Sequence, residues 1–321
     1  MRVEGTDFGT GGGGYARLPV VASPHLVPAL TVGHATGSRL GPIVMPRPLA
    51  SPTIVVFDSG LGGLTVYREV ARARPDARFI YAADDALFPY SRLAEAELVA
   101  RVVSVMERLV LAYDPDLIVV ACNTASTIAL PALRARFAVP FVGTVPAIKP
   151  ACAASATKLV SVLGTEATVR REYTRALIRE FGAGCDVTLV GSPSLAALAE
   201  SHLRGDPVTD EAIAAEIVPC FVTRGAGRTD TIVLACTHYP LLIERLQRLS
   251  PWPAAFLDPA PAIARRVVEL IGPVASLRPA AATQAVFTSG TAPMPALAAA
   301  LARFGIHAPA ADKFDTPSLS A

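Results

Sequence analysis

Lysine is almost missing from this chain: Lys149, Lys158 and Lys313 are the only three among 29 basic residues. A pyridoxal cofactor needs a Schiff-base lysine. Lys158 opens an apolar run, Lys313 sits in a Pro/Ala-rich tail, and Lys149 has no phosphate cup near it, so no cofactor is expected. Cysteine is sparse as well. The five cysteines (Cys122, Cys152, Cys185, Cys220 and Cys236) form no CxxC pair, which excludes zinc-knuckle and thioredoxin motifs. No metal is expected, and the thiols read as reduced, in keeping with a cytoplasmic protein. Strong charge of either sign is missing too: 29 basic and 27 acidic residues leave a net charge of +2. That gives no footing for nucleic acid or an anionic membrane as partner. No apolar stretch approaches the ~18 residues of a membrane-spanning helix. No basic start followed by an apolar core marks a secretory signal.

The chain is rich in apolar residues: 52% are hydrophobic and 17% charged, enough for one large or two modest domains around a sizeable core. Residues 1–50 hold four glycines in a row (11–14), many prolines and no sustained period, and read as a flexible extension. From Thr53 onward strand and helix patterns alternate. Residues 53–57 read as a strand, followed by a glycine-rich turn and a helix from about Leu64. Residues 78–82 read as a strand and 95–112 as a helix that stops at Asp114-Pro115. Residues 117–122 read as a strand, with Asn123 and Thr124 suited to cap the next helix. The second half repeats the scheme: strand 158–163, Gly164-Thr165, a helix to about Glu180, strand 186–190, Gly191-Ser192-Pro193, another helix, then strand 231–236. This pattern predicts an α/β fold of two pseudo-symmetric halves with parallel sheets.

Two strings concentrate the chemistry. Leu-Ile-Val-Val-Ala-Cys-Asn-Thr ends at Thr124, and Thr-Ile-Val-Leu-Ala-Cys-Thr-His ends at His238. Each is a buried-strand run that delivers a cysteine and two polar residues just past the strand end, where ligands of parallel sheets sit. A free cysteine is usually a small buried hydrophobe, but matched placement in two similar halves points to thiols acting from both faces of one small substrate. A helix N-terminus beside such a thiol favours thiolate. His238 stands two residues after Cys236 with no second histidine in metal-binding spacing, so it reads as an acid–base partner. The turn Asp58-Ser59-Gly60-Leu61-Gly62-Gly63 follows a strand and opens a helix. Thr65 replaces the third glycine of a dinucleotide fingerprint, and the Gly-Lys-Ser/Thr of a phosphate loop is absent. Asp58 would repel a phosphate and suits an ammonium group, or else it caps the helix.

Together these residues resemble the glutamate racemase family of cofactor-independent aspartate/glutamate racemases. The resemblance rests on Phe-Asp-Ser-Gly-Leu-Gly-Gly-Leu-Thr-Val (57–66), Tyr-Ala-Ala-Asp (81–84), Phe-Pro-Tyr (88–90), Ala-Cys-Asn-Thr-Ala (121–125), Leu-Gly-Thr (163–165) and Ala-Cys-Thr-His-Tyr-Pro-Leu-Leu (235–242). It implies a racemase that interconverts L- and D-glutamate for peptidoglycan synthesis. Cys122 would act on D-glutamate and Cys236 on L-glutamate. Asp58 and His238 would assist the thiols, with Asp84 and Glu200 as secondary electrostatic partners. Asp58, Ser59, Tyr90, Ser91, Asn123, Thr124, Thr165, Thr237 and His238 would line the substrate site.

The family fold implies two α/β domains with the site in the cleft between them. Residues 53–145 plus 256–310 would form the first and 146–255 the second, flanked by an extension (1–52) and a tail (311–321). The partner implied is the small-molecule substrate, and a homodimer is compatible. Three departures stand out: Ser91 where the family has Gly, Tyr-Ala-Ala-Asp for Tyr-Phe-Gly-Asp, and Gly191-Ser192-Pro193 for a Cys-Pro pair, which weakens the carry-over to Glu200. The alternatives are a racemase for aspartate or a related substrate, a non-catalytic amino-acid-binding protein on the same scaffold, and a thiol redox protein.

Overall fold

The computed structural model describes residues 51–275 and 282–307. The expected extension, apart from its last two residues, and the expected tail lie outside the described residues. Eleven strands run in chain order among these: β1 Thr53–Asp58, β2 Arg78–Ala83, β3 Leu117–Val120, β4 Phe141–Val142, β5 Leu159–Thr165, β6 Asp186–Ser192, β7 Thr223–Arg224, β8 Gly227–Arg228, β9 Thr231–Ala235, β10 Ala255–Leu257 and β11 Gln284–Phe287. They build two parallel sheets, ordered β11-β2-β1-β3-β4 and β10-β9-β5-β6, and an antiparallel β7–β8 hairpin.

The two sheets share one topology. In each half the first strand pairs with the second on one side and the third on the other, with the fourth beyond the third. The order β2-β1-β3-β4 therefore matches β6-β5-β9-β10, and β11 extends the first sheet past β2. The strands carrying Cys122 and Cys236 past their ends, β3 and β9, are the third strand of their respective halves. The expected pseudo-symmetry has this structural form.

Both sheets are covered on both faces, which is why their strands read as nearly continuous apolar runs. On β1, Ile54 and Val56 pack with the helices Leu64–Ala73 and Ala260–Ile271. Val55 and Phe57 face the opposite side, against Glu95–Tyr113 and Asn123–Arg136. In the second sheet Leu163, Ile232 and Leu234 face one cluster, and Val160, Val162 and Val233 the other.

Several boundaries differ from expectation. The strand before Cys122 ends at Val120. The helix expected to run to about Glu180 is broken at Arg171, whose extended backbone (φ −71°, ψ 140°) separates Glu166–Arg170 from Glu172–Phe181. β10 pairs with β9, so the second sheet claims residues through Leu257. The expected division between 255 and 256 would cut that strand, and the return to the first sheet lies beyond it. No helix among the described residues is long and apolar enough to cross a membrane.

Candidate active site

The carboxyl ends of β1 and β3 in one sheet, and of β5 and β9 in the other, open onto a common cleft. Its wall is formed by Ser59, Phe88, Pro89, Tyr90, Ser91, Cys122, Asn123 and Thr124 from the first half, and by Thr165, Thr168, Ala196, Ala235, Cys236, Thr237 and His238 from the second. The enclosed space is about 20 Å³, room for roughly one water molecule.

Cys122 is itself the N-cap of the helix Asn123–Arg136. Its Sγ accepts from the Ala125 N–H at 3.5 Å and donates to Ser59 Oγ at 3.5 Å. Asn123 and Thr124, expected as caps, are instead the first two helical residues. The thiol takes the cap because the chain turns immediately after the strand, placing sulfur over the free N–H groups. That position does not make Cys122 acidic in the closed cleft. Burial, joined by the charge of Asp58, pushes its thiol up to about 12, against the opposing hydrogen bonds from Ser59 and Ala125. The helix-end effect is outweighed by desolvation.

Asp58 stands behind this wall, fully buried at the end of β1. Its Oδ2 accepts from the Gly60 N–H at 3.2 Å and its Oδ1 from Thr237 Oγ1 at 3.1 Å, which joins the two halves. Burial raises its pKa, while His238 and these donors pull it down. Its charge in turn acts on the Cys122 thiol.

The other thiol has a histidine companion. His238 Nδ1 lies 3.8 Å from Cys236 Sγ, and Nε2 lies 2.9 Å from Glu200 Oε2. Burial alone would lower the His238 pKa, but the hydrogen bonds and charges of Cys236 and Glu200 raise it well above its ordinary value. Glu200, in spite of burial, is held low by His238, the Leu61 N–H and Arg204. Nε2 also lies 3.2 Å from the Gly62 N–H, which would have to donate to it. One nitrogen cannot serve both partners. The shorter, charge-assisted contact to Glu200 is the one that fits an imidazolium, and the Gly62 contact fits a neutral ring protonated on Nδ1. Each state of the ring therefore has a partner for Nε2. The ring is further fixed against Phe88, with centroids 5.1 Å apart.

The glycine turn is built for close approach. A Cβ on Gly62 would lie 2.5 Å from His238 Nδ1, 2.6 Å from Thr237 Oγ1 and 2.7 Å from the His238 backbone nitrogen. Tyr81 donates to the Gly60 carbonyl at 2.8 Å and holds the turn from below. Gly62→Ala is expected to push the Thr237–His238 turn back and to lower kcat/KM by about 100-fold, the cost of misplacing a reacting group by roughly 1 Å. Wild-type turnover by that variant would show that the close approach is not needed.

Not every residue named from sequence lines the cleft. Asp84 is fully buried in the first half, accepting from Tyr90 Oη and Arg101 Nε on Oδ2 and from Arg101 Nη2 and Thr288 Oγ1 on Oδ1. It anchors Tyr90, which does line the cleft, and is not itself part of the cleft wall. Glu200 stands one layer back, behind His238. Asn123 does line the cleft, and its buried amide Nδ2 and Oδ1 have no protein partner. A buried amide without partners is costly. Phe88, Pro89, Thr168, Ala196 and Ala235 were not anticipated. Thr168 had a signal: Thr165 caps its helix by accepting from the Thr168 N–H, and the two hydroxyls are 2.9 Å apart. Among the described residues no three His, Cys, Asp or Glu side chains are placed to hold a metal ion.

Comparison with known proteins places this architecture. The model of the Asp/Glu/Hydantoin racemase family matches residues 59–267. A glutamate racemase of Brucella anthropi is 53% identical over 230 residues, covering 71% of this chain and 83% of that protein. The crystal structure of Escherichia coli glutamate racemase with L-glutamate and the activator UDP-MurNAc-ala superposes with a TM-score of 0.73 at 41% identity, covering 80% of this chain and 96% of that one. Glutamate racemase from Aquifex pyrophilus gives a TM-score of 0.61 at 30% identity, over 80% of this chain and 96% of its own.

Proposed function

The chain belongs to the Asp/Glu/hydantoin racemase family, and from that premise we propose that Cys122 and Cys236 are the two acid–base groups of its reaction. That reaction is the interconversion of L- and D-glutamate, which supplies D-glutamate for the bacterial cell wall. The observation that carries the proposal is the matched placement of the thiols at the ends of the third strand of each half, both in the wall of one cleft. With glutamate between them, one sulfur takes the α-proton as thiolate and the other delivers a proton to the opposite face. Cys236 would act on L-glutamate and Cys122 on D-glutamate.

Each thiol has its own proton partner. His238, protonated between Glu200 and Cys236, stands ready to return a proton to that sulfur. Asp58, whose charge acts on the Cys122 thiol, would serve that sulfur on the other side. The α-carboxylate and ammonium would be held by the Ser59, Asn123, Thr124 and Thr237 groups, and the side-chain carboxylate near Tyr90-Ser91. Thr165 and Thr168 complete the wall from the second half. Preorganised donors of this kind stabilise charge that develops at the α-carbon.

Cofactor-free chemistry suits the lysine positions. Lys149 lies over the Phe181 ring and Lys158 donates to the Cys152 carbonyl, both away from the cleft wall. Incubating L- or D-glutamate with the protein in deuterated water, with no cofactor added, is expected to wash deuterium into the α-position as the enantiomers equilibrate. Aspartate is one methylene shorter and cannot keep its α-carbon between the sulfurs while its second carboxylate reaches the same donors. Each donor left unpaired costs about 1–3 kcal/mol, so kcat/KM for aspartate should fall at least 10-fold below that for glutamate. Equal values would refute this assignment and favour an aspartate racemase.

A further inference from the structure

A second pair of thiols stands together outside the cleft. Cys152 lies on the helix Ile148–Ala154 and Cys185 in the turn ahead of β6. Cys185 Sγ donates to the Cys152 carbonyl oxygen at 3.6 Å, and Lys158 Nζ donates to the same oxygen at 3.0 Å. Both side chains belong to one apolar cluster beneath the second sheet, Cys152 buried and Cys185 half-buried. Neither takes part in the cleft wall or its supporting network. Burial pushes the Cys152 thiol up to about 11, and Lys158 draws it back only in part, so the more exposed Cys185 is the sulfur placed to open thiol–disulfide exchange, with Cys152 at hand to close it.

We propose that Cys152 and Cys185 form a reversible dithiol–disulfide site, closed by exchange with a small-molecule disulfide such as oxidised glutathione. Cys185, the more exposed thiol, gives up its proton and its sulfur attacks one sulfur of that disulfide. The S–S bond breaks, one glutathione thiolate leaves, and Cys185 is held as a mixed disulfide. Cys152 then gives up its proton, attacks the Cys185 sulfur and expels the second glutathione thiolate. Two protein thiols lose two electrons, the glutathione disulfide gains them, and the two released thiolates take up the two protons.

The new bond would close a loop of 185 − 152 = 33 residues. It would tie the helix that opens the second half to β6, an edge strand of its sheet. Restricting the unfolded chain in this way raises stability.

The test uses the full chain incubated with oxidised glutathione, unfolded, alkylated and digested with trypsin. Five free thiols are expected to fall to three, with one linked peptide pair carrying Cys152 and Cys185. The oxidised protein should melt roughly 5–10 °C higher than the reduced one, and dithiothreitol should reverse both changes. Cys185→Ser should keep its four thiols and its melting temperature under the same treatment. Retention of all five thiols in the wild type, or linkage through Cys122, Cys220 or Cys236 instead, overturns the proposal.

Discussion

Cys122→Ala and Cys236→Ala are each expected to lose glutamate racemisation by about 10²–10⁴-fold, the range for removing a positioned acid–base group, while melting within a few degrees of the wild type. A methyl group neither accepts nor donates a proton, and the surviving thiol reaches one face of the α-carbon only. Both cysteines are buried, at 5% and 8% exposure, so bulk water is poorly placed to stand in for the missing group. Circular dichroism, started from either enantiomer, measures the loss. Near-normal turnover by either variant would sink the two-thiol mechanism. Cys220→Ala serves as the control: that thiol is buried in the core of the second half beside Ile217 and Ile232, and its loss should leave turnover within a few-fold of the wild type.

The legible parts of this molecule are those set by short-range pattern. A parallel strand buried on both faces has an unbroken apolar run, and the first polar residues after it mark the ligand-facing edge. For that reason the strings ending at Thr124 and His238 point to two thiols, an amide, two hydroxyls and an imidazole at one edge. What escaped the sequence depends on distant partners or on competition between effects. Short strands such as β4, of two residues, and β10, of three, carry too little pattern to detect, and the expected division between 255 and 256 falls inside β10. The helix-end argument for an acidic Cys122 was sound locally but omitted burial, which the sequence does not display. Glu200 meets His238 from a helix 38 positions away, a contact that no spacing rule supplies.

Asp84 shows the same limit most clearly, and yields the second large effect. Its carboxylate gathers Arg101 from 17 positions away and Thr288 from 204 positions away, with Tyr90 closing the ring. Asp84→Ala would leave the Arg101 guanidinium, 8% exposed, without its buried counter-charge. Breaking a buried ion pair from one side costs about 3–5 kcal/mol. At roughly 2–4 °C per kcal/mol for a chain of this size, the melting temperature should drop by about 6–20 °C. Turnover, measured well below that temperature, should fall far less than in the cysteine variants, because Asp84 acts on the substrate only through the placement of Tyr90. Asp84→Asn preserves the shape and one acceptor oxygen, and should recover part of the stability. The opposite pattern, a melting temperature like that of the wild type with activity lost by a factor of about 10³, would make Asp84 a participant in proton transfer and not the anchor of the cleft wall.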